Sequence, residues 1–173
     1  MDFSGSRRAS TIPFGVLAGL ILGIVARAWM RWISTDPEFT WTGTIFIVLA
    51  FVLFGTSHSV LFFAREGSWS KKRLNLIRGG AILCSLPMFS AAGSVMLPTV
   101  LTGSLALWRR DWWRWLRILL GISSLIIPAT IVRGFGNDFG WGIATLGRTL
   151  LFILIYTTVI AATWAAVTPL TRN

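Results

Sequence analysis

Gly79-Gly-Ala-Ile-Leu-Cys-Ser-Leu-Pro-Met-Phe-Ser-Ala-Ala-Gly-Ser-Val-Met-Leu-Pro-Thr-Val-Leu-Thr-Gly-Ser-Leu-Ala-Leu-Trp108 decides how this chain folds. A helix crosses the ~30 Å hydrocarbon core of a bilayer with ~20 apolar residues. The run is too long for one such span and short for two. It also holds Pro87 and Pro98. Proline lacks an amide donor and clashes with the preceding turn, which disfavours one straight helix. Positive charge arbitrates, because short basic loops stay on the cytoplasmic side. One span sets Arg109, Arg110, Arg114 and Arg117 opposite Lys71, Lys72 and Arg73. A hairpin turning near Ala91-Ala92-Gly93-Ser94 places both clusters together with Arg7, Arg8 and Arg172. Only Arg27, Arg31, Arg133 and Arg148 of the 16 basic residues then fall on the outer half. The charge balance favours the hairpin.

Outward from this run, apolar stretches predict helical segments at about 13–33, 42–64, 75–92, 94–108, 116–133 and 143–168. The expected fold is all-α: a polytopic transmembrane bundle of six helical segments, with five the alternative and both termini cytoplasmic. Residues 1–173 read as one membrane domain. A chain that is 54% hydrophobic and 13% charged is excluded as a soluble domain, whose core cannot hide that much apolar surface. The net charge of +10 lies in clusters between spans. It points to anionic lipid headgroups and not to nucleic acid. Arg7 and Arg8 before an apolar stretch, with Ala26-Arg27-Ala28 further on, imitate a cleaved leader. A charge at Arg27 is out of place at a cleavage site, so a retained first span is expected. Tryptophans such as Trp29, Trp32, Trp41, Trp69, Trp108, Trp112, Trp113 and Trp115 flank the turns, as half-wet indoles do at headgroup level.

Chemistry inside a membrane usually requires a buried acid. None of the six carboxylates lies in the middle of a span. No catalytic residue, metal site or cofactor is expected, and rhomboid-like, zinc and diaspartyl chemistries lack their residues. Cys84 is the lone cysteine and reads as a buried thiol. His58, the only histidine, has no zinc or bis-histidine haem companion. It is expected to hydrogen-bond a neighbouring helix, with proton relay or ligand contact the alternative. Gly15, Gly19 and Gly23 recur every four residues and form a smooth helix-packing stripe, within the chain or between copies. The same spacing continues to Arg27 and Arg31. The loop Gly134-Phe-Gly-Asn-Asp-Phe-Gly-Trp-Gly142 adds Asn137 and Asp138 on the outer side. Arg27, Arg31, Arg133, Asn137, Asp138 and Arg148 therefore form either a set of inter-loop salt bridges or an anion or lipid-headgroup site built on guanidinium donors. The run Arg109-Arg-Asp-Trp-Trp-Arg-Trp-Leu-Arg117 mixes bases and indoles as an interfacial segment does.

The stretch Ala26-Arg-Ala-Trp-Met-Arg-Trp-Ile-Ser34, continuing through Asp36-Pro-Glu-Phe-Thr-Trp-Thr-Gly-Thr-Ile-Phe-Ile-Val48, resembles a junction seen in small, uncharacterised bacterial integral membrane proteins. The resemblance covers the first two spans and implies a multi-pass cell-membrane location without a function. Two functions remain open at this point. One is a non-enzymatic packing accessory, in a homo-oligomer or larger membrane complex, that contacts anionic lipid. The other is an anion-selective channel or transporter using the outer arginines.

Overall fold

All six expected segments are helices, and no strand occurs among the described residues. They are α1 Thr11–Ile33, α2 Trp41–Glu66, α3 Lys71–Ala91, α4 Met96–Trp108, α5 Arg114–Phe139 and α6 Ile143–Val167. The computed structural model describes residues 11–35, 39–66, 69–91, 96–109 and 111–167, without the side chains of Glu66, Ala166 and Val167. The expected hairpin turn at Ala91–Ser94 falls largely outside these residues, as do both termini. Five helices are long and apolar enough to cross a membrane, which makes this a multi-pass membrane protein. The sixth, α4, has 13 residues. At 1.5 Å per residue it reaches ~20 Å, short of a full hydrocarbon core.

Residue size explains which helix faces are buried. In α1 the buried residues are Gly15, Gly19, Gly23 and Ala26, while Phe14, Leu17, Ile21 and Ile24 are exposed. This inverts a soluble amphipathic helix. Lipid tails solvate large apolar side chains well, so small residues mark the faces where backbones approach. Hydroxyls survive in the apolar interior by bonding backward to their own helix. Ser85 Oγ donates to the Ala81 carbonyl at 2.7 Å, and Ser124 Oγ to Gly121 at 2.7 Å.

The prolines fit this pattern differently from the expectation. Pro98 stands in the first turn of α4, where an amide donor is dispensable. Pro87 lies inside α3 and Pro128 inside α5, so Pro87 does not itself end a helix.

One boundary is corrected. The segment expected to end at residue 133 runs to Phe139. Gly134, Gly136, Asn137 and Asp138 are therefore helical, and only 140–142 connect α5 to α6. Glycine usually weakens a helix. Here a helix keeps every backbone group bonded near the bilayer, where an open loop does not. Gly136 has a packing reason as well: a Cβ there meets the Trp141 ring at 2.3 Å. Gly140, with φ +70°, is the one residue of this stretch in the left-handed region and makes the turn.

The chain gathers into two compact units. The first contains residues 11–27 of α1, α2, α3 and the end of α6 from Ala165. The second contains the end of α1 from Ala28, α4, α5 and α6 to Trp164. In the first unit α2 packs on both α1 and α3; in the second, α4 packs on α5.

Candidate functional site

In the first unit the glycine stripe is a contact within the chain. A Cβ on Gly19 meets the Phe51 carbonyl oxygen at 2.5 Å and Val52 Cα at 2.9 Å. One on Gly55 of α2 meets the Gly15 carbonyl at 2.4 Å. Gly23 faces Phe51 and Val48 in the same way. The stripe is thus occupied by α2 and is not available to a second copy.

Arg27, at the end of this stripe, donates from Nε to Thr44 Oγ1 at 3.0 Å. Thr44 Oγ1 itself donates to the Thr40 carbonyl at 3.0 Å. Arg27 thereby ties α1 to the start of α2.

His58 departs from its expected interhelical bond. Its Nδ1 pairs with the Phe54 carbonyl of its own helix at 2.9 Å, and the ring lies 4.0 Å from that of Phe54. Ser57 Oγ is 3.5 Å from Nδ1, but already donates to Phe54 at 2.9 Å. The arrangement is not an activated Ser-His pair, because the hydroxyl has a better acceptor.

The other outer arginines belong to the second unit and have different settings. Arg148 donates from Nε to the Trp32 carbonyl at 3.2 Å. Its guanidinium lies 4.0 Å from the Phe139 ring centroid and 5.4 Å from that of Trp32. Trp29 returns a bond from Nε1 to the Arg148 carbonyl at 2.9 Å. The Trp29 ring also stacks on Phe152 at 5.3 Å and meets Phe135 edge-on at 5.9 Å. Trp29, expected at headgroup level, thus packs into an aromatic cluster and holds the end of α1. Arg31, Arg133, Asn137 and Asp138 are exposed. Among the described residues Asp138 makes no ion pair with Arg133 or Arg148; the pair present is Arg109 with Asp111, at 3.9 Å. The expected salt-bridge set is therefore absent there. Its two other acids, Asp36 and Glu38, lie outside the described residues.

The opposite ends of the helices carry a denser basic surface. Between α4 and α5, the Arg109 guanidinium sits 5.5 Å from Trp108 and 5.1 Å from Trp112. Arg117 Nε donates to the Ala106 carbonyl at 3.1 Å and holds the turn closed. Trp113 and Trp115 are 84% and 78% exposed, and Arg114 is exposed with them.

Two residues the sequence reading passed over are also set here. Arg65, at the end of α2, is 8% exposed and donates from a terminal guanidinium nitrogen to the Ala165 carbonyl of α6. That carbonyl is one of the last in α6, where an orphan acceptor and the negative end of the helix dipole both favour a cation. Arg78, two turns into α3, lies near enough to repel Arg65. Its Nε is buried without a hydrogen-bond partner among the described residues. Both had read as ordinary charges flanking a span, and their pairing depends on the α2–α3 packing.

No group of three or more histidine, cysteine or acidic side chains that could hold a metal occurs among the described residues. No family model matches the chain, and neither a curated protein nor a solved structure does so.

Proposed function

We propose that this chain is a non-enzymatic accessory protein of the cell membrane. In this reading its basic end faces the cytoplasm and rests on anionic lipid headgroups. The observation that carries the reading is the turn between α4 and α5. Two indoles and a guanidinium stand out from the protein there, while Arg109 is held between two further indoles. Indoles favour the half-wet headgroup layer, and a base close to an anionic surface contributes ~1 kcal/mol. Together they anchor a helix pair at a defined depth. Arg27 and Arg148 instead hold helix ends, and no specific observation favours an anion-conducting role for them. With the glycine stripe occupied inside the chain, lipid contact supports an accessory role better than self-association does.

Extraction in mild detergent, blue-native electrophoresis and lipid analysis of the purified band test this. The expected result is co-purifying anionic lipid, reduced in a Trp113→Ala/Trp115→Ala/Arg114→Gln variant. A strictly monomeric band free of lipid and protein overturns it.

A further inference from the structure

The geometry points to a discrete phosphate-headgroup site at the α2–α3 end of the first unit, with Arg65 and Arg78 as its floor and Lys71, Lys72 and Arg73 as its rim. It deepens the lipid-contact reading and rests on it, by replacing a diffuse basic surface with one saturable site.

Two observations carry the inference. Burying one guanidinium beside another is unfavourable unless a counter-charge joins them. Among the described residues Arg78 has only a weak neutral partner, Asn75 Oδ1 at 3.4 Å, and its Nε is shut off from solvent with no acceptor. Guanidinium presents a planar fork of donors that matches phosphate oxygens. A phosphate here supplies the missing acceptor and the missing negative charge together.

The second observation is independent. The first turn of α3 holds Lys71, Lys72 and Arg73 and no acid. Helix N-termini carry partial positive charge and are stabilised by anions. Three exposed bases at that end oppose the dipole. Ser70 Oγ, 3.4 Å from the Arg73 amide, is a weak cap. A bound phosphate offsets the bases and the dipole at once. Glu66 is the nearest acid in sequence, and its side chain lies outside the described residues.

The test uses the full chain in non-ionic detergent, titrated with short-chain phosphatidylglycerol, short-chain phosphatidylcholine or inorganic phosphate. Thermal unfolding is followed by tryptophan fluorescence. Phosphatidylglycerol is expected to raise Tm saturably and phosphatidylcholine to leave it unchanged. Losing one charged donor set weakens apparent affinity roughly tenfold or more in Arg78→Gln. Arg78→Lys keeps the charge and loses less. A Lys72→Gln/Arg73→Gln variant, which leaves the floor intact, weakens binding less than Arg78→Gln and carries the test if that variant does not fold. Equal saturation by inorganic phosphate assigns the site to a free anion instead of a lipid. A wild-type chain with no saturable shift, or Arg78 variants and the rim variant that all match wild type, overturns the proposal. Loss of binding in Trp113→Ala/Trp115→Ala with Arg78→Gln unaffected retains the general lipid reading and removes this site.

Discussion

At the scale of single residues, the glycines of α1 and α3 separate two roles that look alike in sequence. Gly19 faces the backbone of α2, and an added methyl lies 2.5 Å from the Phe51 carbonyl oxygen. Backbone cannot step aside as a flexible side chain does. Gly19→Ala therefore forces α1 and α2 apart and is expected to destabilise by ~1–3 kcal/mol, the range for overpacking a close interface. Gly79 has open space around its Cβ position and lies within a helix. Gly79→Ala is expected to be neutral or stabilising by up to ~1 kcal/mol, since alanine loses less backbone freedom on folding. Unfolding of both variants in graded denaturing detergent checks the pair; equal effects reject the assigned roles. The four-residue spacing made the stripe readable, because small residues in register on an apolar helix mark a packing face. Its partner was not readable, since Gly55, Phe51 and Val52 carry no sign that they face α1. The Arg65–Arg78 pairing was hidden for the same reason: it exists only once α2 lies on α3.

At the scale of elements, the helix ends differ most from the sequence reading, and arginines hold two of them. Arg148 closes the C-terminal end of α1 through the Trp32 carbonyl, and a cation is well placed there. Its flat guanidinium also rests on Phe139, which an ammonium reproduces poorly. Arg148→Ala is expected to cost ~1–2 kcal/mol from the lost charged hydrogen bond and cation–π contact. Arg148→Lys should recover only part of it. Thermal unfolding of the two variants tests this, and full recovery by lysine argues against the stacked geometry. The extension of α5 gives a separate prediction. Four glycines in 134–142 read as a loop because glycine is a common breaker. Periodicity carries no record that Gly136 lies beneath the Trp141 ring. Amide exchange should be slow through Phe139 and fast only at 140–142. Fast exchange from Gly134 onward restores the loop reading. The six segments themselves were legible, because ~20-residue apolar runs bounded by charge have few alternatives in structure.

At the scale of the whole molecule, the short α4 bears on the pass count without settling it by length alone. If α3 and α4 form a hairpin, the basic turns near Ser70 and Trp113 share one side. This holds whether the hairpin crosses fully or re-enters from the cytoplasm. If α3 crosses and α4 does not return, Trp113 moves to the opposite side and Trp141 joins Ser70. Charge separates these outcomes: the second arrangement exports Arg109, Arg110, Arg114 and Arg117, against the retention of basic turns in the cytoplasm. Single-cysteine variants Ser70→Cys, Trp113→Cys and Trp141→Cys, built on Cys84→Ser, are to be labelled with a membrane-impermeant maleimide. Sealed vesicles of known orientation are used before and after lysis. The expected pattern has Ser70→Cys and Trp113→Cys protected together and Trp141→Cys labelled alone, or the reverse in inverted vesicles. If Trp141→Cys shares a side with Ser70→Cys, the chain has five passes. The α4–α5 turn and the α2–α3 phosphate site then cannot meet the same leaflet.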